Sequence, residues 1–292
     1  MNPKVGLALG SGGARGWAHL GALRRLDELG FKPHCICGAS IGALVGAIYS
    51  AGHFQALEQV AATFGWRNWA DLFLDPAFIA PGLLAGDRVV DFLRRPDLLG
   101  DGTLCKIPFS AAATNLQTGL PHHFPPETNA LDAVRASIAI PVVFSPHTVD
   151  GQIYIDGGLT DPLPIDACRL LGAERVVAID INLNAAVSDT PTAQDERPSP
   201  WHRLMEKVLP HPFADSTTPA TLFRVMSATV RLMENVVSRA AIALQQPDVL
   251  IQPAVGQFHM LAFKEARLPA IQAGYDAVCA AEPRLRDHGM IA

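Results

Sequence analysis

The pattern of hydrophobic and polar positions indicates alternating strands and helices in the first fifty residues. An apolar run at 4–9 ends in a glycine, which is typical of a short buried strand. Residues 17–29 then place three leucines at helical spacing and stop at Gly30, a residue type that suits the turn after a helix. A strand at 34–38 and a helix at 41–51 repeat the unit. This succession predicts a parallel sheet with helices on its faces.

The rest of the chain continues this mixture less regularly. Asp150-Gly151 between two short runs is a strong hairpin signal. Further helices are predicted at 87–95, 130–137, 164–171, 221–246 and 263–281. Further strands are predicted at 108–115, 120–124, 147–149, 152–155, 175–181 and 249–252. We therefore expect one α/β domain over residues 1–292, with a central, mostly parallel sheet between helical layers in a three-layer α/β/α arrangement.

Residues 184–219 change in character, with many proline, threonine, serine, aspartate and histidine residues. We interpret this segment as a long loop or lid within the domain. The helix predicted after it carries one apolar stripe, formed by Phe223, Met226, Val230, Met233 and Val237. Such stripes usually face a core, and a face that meets a membrane or a partner is the alternative.

Composition limits the classes of function. Hydrophobic residues make up 49% of the 292 residues and charged residues 17%, against about 25% charged in typical soluble domains. This favours a large core, with some apolar surface left for a partner or lipid. The net charge of −5 gives no support for nucleic-acid binding.

The apolar segments and the cysteine spacing bear on cellular location and on metal binding. The N-terminal apolar run is too short for a signal peptide, and the apolar stretch at 39–51 is too short to span a bilayer. The five cysteines show no zinc spacing and are expected to be free thiols. We expect a cytoplasmic protein without a metal site, for which peripheral contact with the inner membrane face stays open.

A glycine-rich segment, GSGGARG at residues 10–16, lies between the first strand and the first helix. Such a segment holds anions, and a dinucleotide is one candidate. Arg15 occupies the position where the dinucleotide pattern has its third glycine, and neither the usual acidic residue nor a Walker lysine follows. A tight packing turn and a site for a transient reaction anion therefore remain.

The segment GASIG at residues 38–42 has the G-x-S-x-G pattern and joins a predicted strand to a predicted helix. This is the setting of a nucleophile elbow, whose sharp turn requires small residues two positions before and after the serine. Ser40 would then lie at a helix N-terminus, where negative charge is favoured. The alternative is that Ser40 simply caps the helix.

A serine nucleophile needs a base to accept its proton. His211 and His259 come late in the chain, as in common α/β hydrolases, but neither has a recognisable catalytic context. Ser40 also follows only two strands, which is too early for that fold. Four other histidines lie in polar or proline-rich segments and are expected at the surface: His122, His123, His147 and His202.

Asp156 is a second candidate base, because it ends a predicted strand and is followed by Gly157 and Gly158. These glycines would allow another backbone to approach closely. An aspartate in this position is also a common turn residue.

Four elements in order over residues 5–182 make the chain resemble the patatin-like phospholipase family, in its bacterial branch. They are the glycine loop with Arg15, the elbow, the segment ASIAIPVVF at 136–144, and Asp156-Gly157-Gly158. The segment VLIQP and the closing helix also resemble the C-terminal end of that branch.

The resemblance implies serine ester hydrolysis on lipid acyl groups, with a phospholipid or lysophospholipid as substrate. It implies that Ser40 is the nucleophile, that Asp156 is its base without a histidine, and that the N–H groups of Gly12 and Gly13 form the oxyanion hole. The supporting motif residues are Gly10, Arg15, Gly16, Gly38, Gly42, Gly157 and Gly158. Ser11 departs from the glycine that the family often has there. No metal or organic cofactor is implied.

An aspartate base raises a physical difficulty, because free aspartate has a pKa of about 3.9. Burial without a cationic partner would raise the pKa of Asp156, whereas direct pairing with Arg15 would lower it. We therefore expect Arg15 to lie elsewhere and to hold the loop or a substrate phosphate. Two alternatives use the same fold: a regulatory or adaptor protein with little turnover, and an acyltransferase.

Overall fold

The structure is a computed structural model that describes residues 3–63, 78–80, 83–84, 86–103, 105–141, 143–182, 219–260 and 262–292. The loop or lid predicted at 184–219 lies outside these residues except for its last position. His202 and His211 also lie outside them.

The described strands are β1 Val5–Leu9, β2 Cys35–Ala39, β3 Phe78–Ala80, β4 Leu83–Leu84, β5 Phe109–Asn115, β6 Pro121–Phe124, β7 His147–Val149, β8 Gln152–Asp156, β9 Arg175–Ile179 and β10 Val249–Ile251. The described helices are α1 Trp17–Glu28, α2 Ile41–Ser50, α3 Phe54–Thr63, α4 Asp87–Leu93, α5 Ala130–Ser137, α6 Ile165–Leu170, α7 Pro219–Gln245 and α8 Phe263–Asp287.

The central sheet is mixed and mostly parallel, which confirms the predicted fold class. Its strand order is β10-β9-β1-β2-β5-β8-β7, and β6 pairs with β5 in addition. The pairs from β10 to β5 are parallel, whereas β6, β7 and β8 join in antiparallel fashion. The β7–β8 hairpin turns at Asp150 and Gly151, whose φ angles of 49° and 76° match the predicted turn.

Apolar side chains pack on both faces of the sheet. Leu7 and Leu9 of β1 lie in a large cluster with buried residues of α1, α2 and α8, whereas Ala8 packs in a second cluster with α6. This alternation follows from the pleat of a strand, which directs successive side chains to opposite faces. The sheet is thus enclosed between two helical layers.

Some elements differ from the sequence-based expectation. The helix α3 and the separate β3–β4 hairpin were not predicted. The last helix was predicted to end at 281, before Pro283, but α8 continues through this proline to Asp287. Burial of Leu285 against the core accounts for the extra turn, since packing outweighs the weak local preference.

The buried face of α7 only partly coincides with its apolar stripe, of which Val230 and Val237 are half-buried. Met226 and Met233 are exposed at 37% and 48%, whereas Arg231, Glu234 and Ser238 are buried. The expectation that this stripe faces the core is therefore wrong for both methionines. The physical reason is that α7 covers polar loops at the carboxyl ends of the strands, so its inward side chains are those that can hydrogen-bond there.

Neither a spanning helix nor a metal cluster is found within the described ranges. No helix there combines the length and hydropathy needed to cross a membrane. The same residues contain no group of three or more histidine, cysteine or acidic side chains arranged to hold a metal ion. All five cysteines are free thiols: Cys35, Cys37 and Cys168 are buried, and Cys105 and Cys279 are half-buried.

Candidate active site

Ser40 stands on a sharp turn between β2 and α2. Its φ and ψ angles of 53° and −120° are strained for a residue with a side chain. A Cβ on Gly38 would lie 2.4 Å from the carbonyl oxygen of Gly42, and a Cβ on Gly42 would lie 2.3 Å from that of Leu9. The two flanking glycines are therefore required by the turn itself, as the G-x-S-x-G pattern predicts.

The Ser40 hydroxyl donates a hydrogen bond to Asp156, with 2.6 Å between Oγ and Oδ2. The other carboxylate oxygen, Oδ1, accepts the N–H of Gly158 at 2.7 Å. Both Ser40 and Asp156 are buried. Thr114 fixes the end of β8 by donating its hydroxyl to the Asp156 carbonyl at 2.8 Å. Both carboxylate oxygens thus accept a hydrogen bond, and one of them accepts it from the serine hydroxyl.

Burial and, after it, the nearby Glu234 carboxylate raise the pKa of Asp156 to about 8. The hydrogen bonds from Ser40 and Gly158 act in the opposite sense, because they favour the charged form. As an anion, this aspartate binds a proton far more strongly than a free carboxylate does. Its environment therefore resolves the difficulty of using aspartate as a base for an alcohol.

The glycine loop at residues 10–16 is fixed by its own backbone beside the elbow. Gly10 donates to the Ile179 carbonyl at 3.0 Å, and Ala14 donates to the Met260 carbonyl at 2.7 Å. Among the described residues, the N–H groups of Gly12 and Gly13 have no acceptor. These two donors are therefore available to a developing anion.

The loop and the elbow touch directly through Gly16 and Ile41. A Cβ on Gly16 would lie 2.2 Å from Cγ1 of Ile41, the residue after Ser40. A residue larger than glycine at position 16 would push the loop away from the helix that carries the serine. The motif glycine thus sets the distance between the two groups.

Arg15 holds the loop rather than reaching solvent. Its guanidinium is fully buried, and it donates to the Gly12 carbonyl at 3.1 Å and to the Asn182 side chain at 3.0 Å. Asn182 in turn donates to the Ser11 hydroxyl at 2.9 Å. Of the two positions expected for Arg15, this geometry supports the one that fixes the loop. The serine that departs from the family pattern takes part in the same network.

Two residues that support the site were missed in the sequence. His19 on α1 donates to the Gly10 carbonyl at 2.8 Å, and burial lowers the pKa of His19 to about 4, which keeps it neutral. Ser137, within the segment 136–144, accepts the Ser40 N–H at 2.8 Å and donates to the Ala112 carbonyl at 2.6 Å. Neither residue carries a local signal, because each acts on backbone groups that the fold brings next to it.

No histidine in the described part of the chain hydrogen-bonds to Ser40 or Asp156. His122, His123 and His147, which were expected at the surface, are each partly exposed and partly buried. His123 pairs with a carboxylate, with 2.7 Å between its Nε2 and Asp161 Oδ2. Its burial therefore follows from a hydrogen-bonded partner, which the polar local sequence does not reveal.

An apolar cavity opens at Ser40. Gly13, Gly16 and Ser40 form part of its wall, so the cavity reaches both the elbow and the glycine loop. The other lining residues are all aliphatic or aromatic, and include Leu44, Leu57, Val60, Phe92, Ile140 and Phe144. Such a lining suits a hydrocarbon chain attached to the group that reacts.

Comparisons with known proteins agree with this geometry. The family model described as patatin-like phospholipase matches residues 7–169. An uncharacterized NTE family protein of Mycobacterium bovis is 39% identical over 201 residues, which are 68% of this chain and 53% of that protein. A lysophospholipase NTE1 of Mycosarcoma maydis is 29% identical over 226 residues, which are 73% of this chain and 11% of that protein. The chain thus spans about half the length of the first of these curated relatives.

A solved structure shows the same fold. The crystal structure of VipD from Legionella pneumophila superposes with a TM-score of 0.50 at 14% identity, covering 99% of this chain and 67% of that one. At this level of identity the likeness concerns the fold alone.

Proposed function

The chain belongs to the patatin-like phospholipase family, and from this membership and the site geometry we propose that it is a serine hydrolase of lipid esters. The observation that carries the proposal is the 2.6 Å hydrogen bond from Ser40 to Asp156 at a strained elbow. A buried nucleophile held on a base in this way suits acyl transfer to the serine. The apolar cavity beside it supports a substrate with a hydrocarbon chain.

In the first half of the proposed reaction, Ser40 attacks the ester carbonyl carbon. Its proton passes to Oδ2 of Asp156, and the carbonyl oxygen becomes an oxyanion that accepts the N–H groups of Gly12 and Gly13. Each such donor contributes roughly 3–4 kcal/mol to transition-state stabilisation. The tetrahedral intermediate then expels the alcohol, which takes the proton from Asp156, and acyl–Ser40 remains.

In the second half, water attacks the acyl carbon of acyl–Ser40. Asp156 accepts a proton from that water, and the same two amides again hold the oxyanion. Collapse of the intermediate releases a fatty acid and returns the proton to the Ser40 oxygen. Every proton is accounted for by one carboxylate, so the proposal requires neither a histidine nor a metal ion.

We infer that the substrate is a phospholipid or a lysophospholipid. This is supported by the family and by the relative that is named a lysophospholipase. The cavity supports the acyl part of such a molecule, since none of the described residues that line it is charged. Recognition of the head group is left to residues beyond that lining.

The test is to label purified protein with a fluorophosphonate and to measure fatty acid released from lysophosphatidylcholine. We expect labelling and release in the wild type and neither in Ser40→Ala. Labelling with acyl transfer to an added alcohol in place of fatty acid release would indicate an acyltransferase. Absence of labelling in folded wild type would contradict the proposal and favour an adaptor without turnover.

A further inference from the structure

A third buried carboxyl group lies beside Ser40 and Asp156. Glu234, on the inward face of α7, is 5% exposed. The point where a Cβ on Gly158 would stand is 2.2 Å from Glu234 Oε1 and 3.0 Å from Asp156 Oδ1. The two carboxylate oxygens are therefore at most 5.2 Å apart, the sum of these two distances. Two carboxyl groups this close, out of water, affect each other's protonation strongly.

Glu234 also connects α7 to the glycine loop. The Ser11 hydroxyl lies beside the Glu234 carboxylate, since the Cβ point on Gly158 is also 2.9 Å from Ser11 Oγ, and there it lowers the pKa of Glu234. The same hydroxyl accepts a hydrogen bond from Asn182. Ser11 directly precedes Gly12, the first of the two residues with free amides. One side chain thus reaches both the loop that would hold the oxyanion and the aspartate that would take the proton.

The charges around Glu234 decide which carboxyl group ionises first. Burial raises the pKa of Glu234 above its ordinary value and Asp180 acts in the same direction, whereas Arg15 of the glycine loop and Arg231 of α7 oppose this rise. On the other side, Glu234 is the largest cause after burial of the raised pKa of Asp156. The two arginines thus favour the charged form of Glu234, and that charge makes proton binding by Asp156 more favourable.

We propose that Glu234 is a positioning residue for the Ser40–Asp156 pair. Its charge drives the serine proton onto Asp156, and its contact with Ser11 holds the glycine loop against the elbow. The inference rests on the proposed function, because it assigns a role within that reaction. It also explains the second glycine after Asp156, since any side chain at position 158 would displace Glu234.

The test is the pH profile of kcat/KM on a soluble short-chain p-nitrophenyl ester in Glu234→Gln. Glutamine keeps the size and an acceptor oxygen for Ser11 but removes the charge. We expect the acidic limb of the profile to move to lower pH, because Asp156 then ionises more readily. We also expect the plateau to fall roughly three- to tenfold, since a weaker base accepts the serine proton less readily.

Two further variants separate this role from a structural one. Glu234→Asp withdraws the charge by one methylene group and should move the limb in the same direction by a smaller amount. Ser238→Ala alters the same buried face of α7, where the Ser238 hydroxyl donates to Asp180 at 3.2 Å, and should lower the melting temperature without moving the limb. If Glu234→Gln does not fold, the acidic limb of the Glu234→Asp profile tests the proposal instead.

An acidic limb that stays at the wild-type pH in every folded Glu234 variant would overturn the inference. An equal displacement of the limb in Ser238→Ala would do the same, because the effect would then follow from loosening of α7. Failure of the proposed function has a different result, namely ester turnover that persists in Ser40→Ala.

Discussion

Ser40 and Asp156 are 116 positions apart in the chain, yet Oγ of one lies 2.6 Å from Oδ2 of the other. The reason is that β2 and β8 pair with successive parts of the same side of β5, β2 with residues 109–112 and β8 with residues 113–115, whereas β6 pairs along the other side. In these registers Ala39 lies opposite Ala112, and Asp156 lies opposite Ala113. The end of β2 therefore meets the end of β8 on one side of β5, and this brings Ser40, the residue after β2, next to Asp156.

Replacement of Ser40 should separate its chemistry from its backbone strain. We expect Ser40→Ala and Ser40→Gly both to lose ester hydrolysis by more than about 10³-fold, because each lacks the nucleophile. The φ of 53° is strained for alanine but not for glycine, and such strain amounts to roughly 1–3 kcal/mol. Ser40→Gly should therefore unfold at a higher temperature than Ser40→Ala in calorimetry. Equal melting temperatures would argue against strain at the elbow.

Asp156→Asn should reduce kcat by about 10²–10⁴-fold, because an amide cannot accept the serine proton. His123→Ala and His259→Ala serve as matched tests of a histidine base and should keep most of the activity. His123 contacts Asp161 and neither Ser40 nor Asp156. A folded histidine variant as inactive as Asp156→Asn would point to a triad.

The raised pKa of Asp156 should make the stability of the folded protein depend on pH. Its pKa is about 8 in the folded state and about 3.9 in an unfolded chain, so the folded state binds the proton more tightly. The resulting stabilisation is complete below about pH 4 and is lost as pH rises through 8. We expect the melting temperature of Asp156→Asn, relative to wild type, to increase by more than about 2 °C between pH 5 and pH 9. A difference that does not change with pH would contradict the raised pKa.

The elements nearest the site were the most predictable from the sequence. The elbow requires glycines at 38 and 42 for steric reasons that hold for any chain with this turn, so a five-residue pattern is informative. The same applies to the β7–β8 hairpin, whose Asp150-Gly151 turn is local. These features were predicted because neighbouring residues alone determine them.

Long-range contacts were not predictable in this way. Glu234 lies outside the apolar stripe of its helix, and only the position of α7 above the Gly158 turn explains its burial. His19 is another example, because its acceptor is the Gly10 carbonyl across the loop. In both cases the partner is chosen by the tertiary packing, for which the local pattern carries no information.

The apolar cavity predicts a dependence on acyl-chain length. Its side chains include Leu57, Val60 and Phe92, which can take up methylene groups but form no polar contact with them. Each buried methylene contributes about 0.8 kcal/mol, so kcat/KM should rise up to about fourfold per added carbon until the cavity is filled. A series of p-nitrophenyl esters from acetate upwards measures this rise. A flat series would indicate that the chain binds elsewhere.

The two glycines after Asp156 should respond differently to alanine, because their neighbours differ in rigidity. A Cβ on Gly157 would lie 2.0 Å from the Ala112 carbonyl oxygen of β5, whereas a Cβ on Gly158 would lie 2.2 Å from the end of the Glu234 side chain. Backbone in the middle of a sheet cannot move away, but a side chain can. We therefore expect Gly157→Ala to lose stability severely and Gly158→Ala to fold with reduced kcat.

The control is Gly46→Ala on α2. The nearest atom to its Cβ would be a side-chain atom 3.1 Å away, and its helical position favours alanine. Thermal unfolding and ester turnover of the three variants measure the two effects separately. If Gly158→Ala were the less stable of the pair, or kept full kcat, the arrangement of Glu234 against this turn would be wrong.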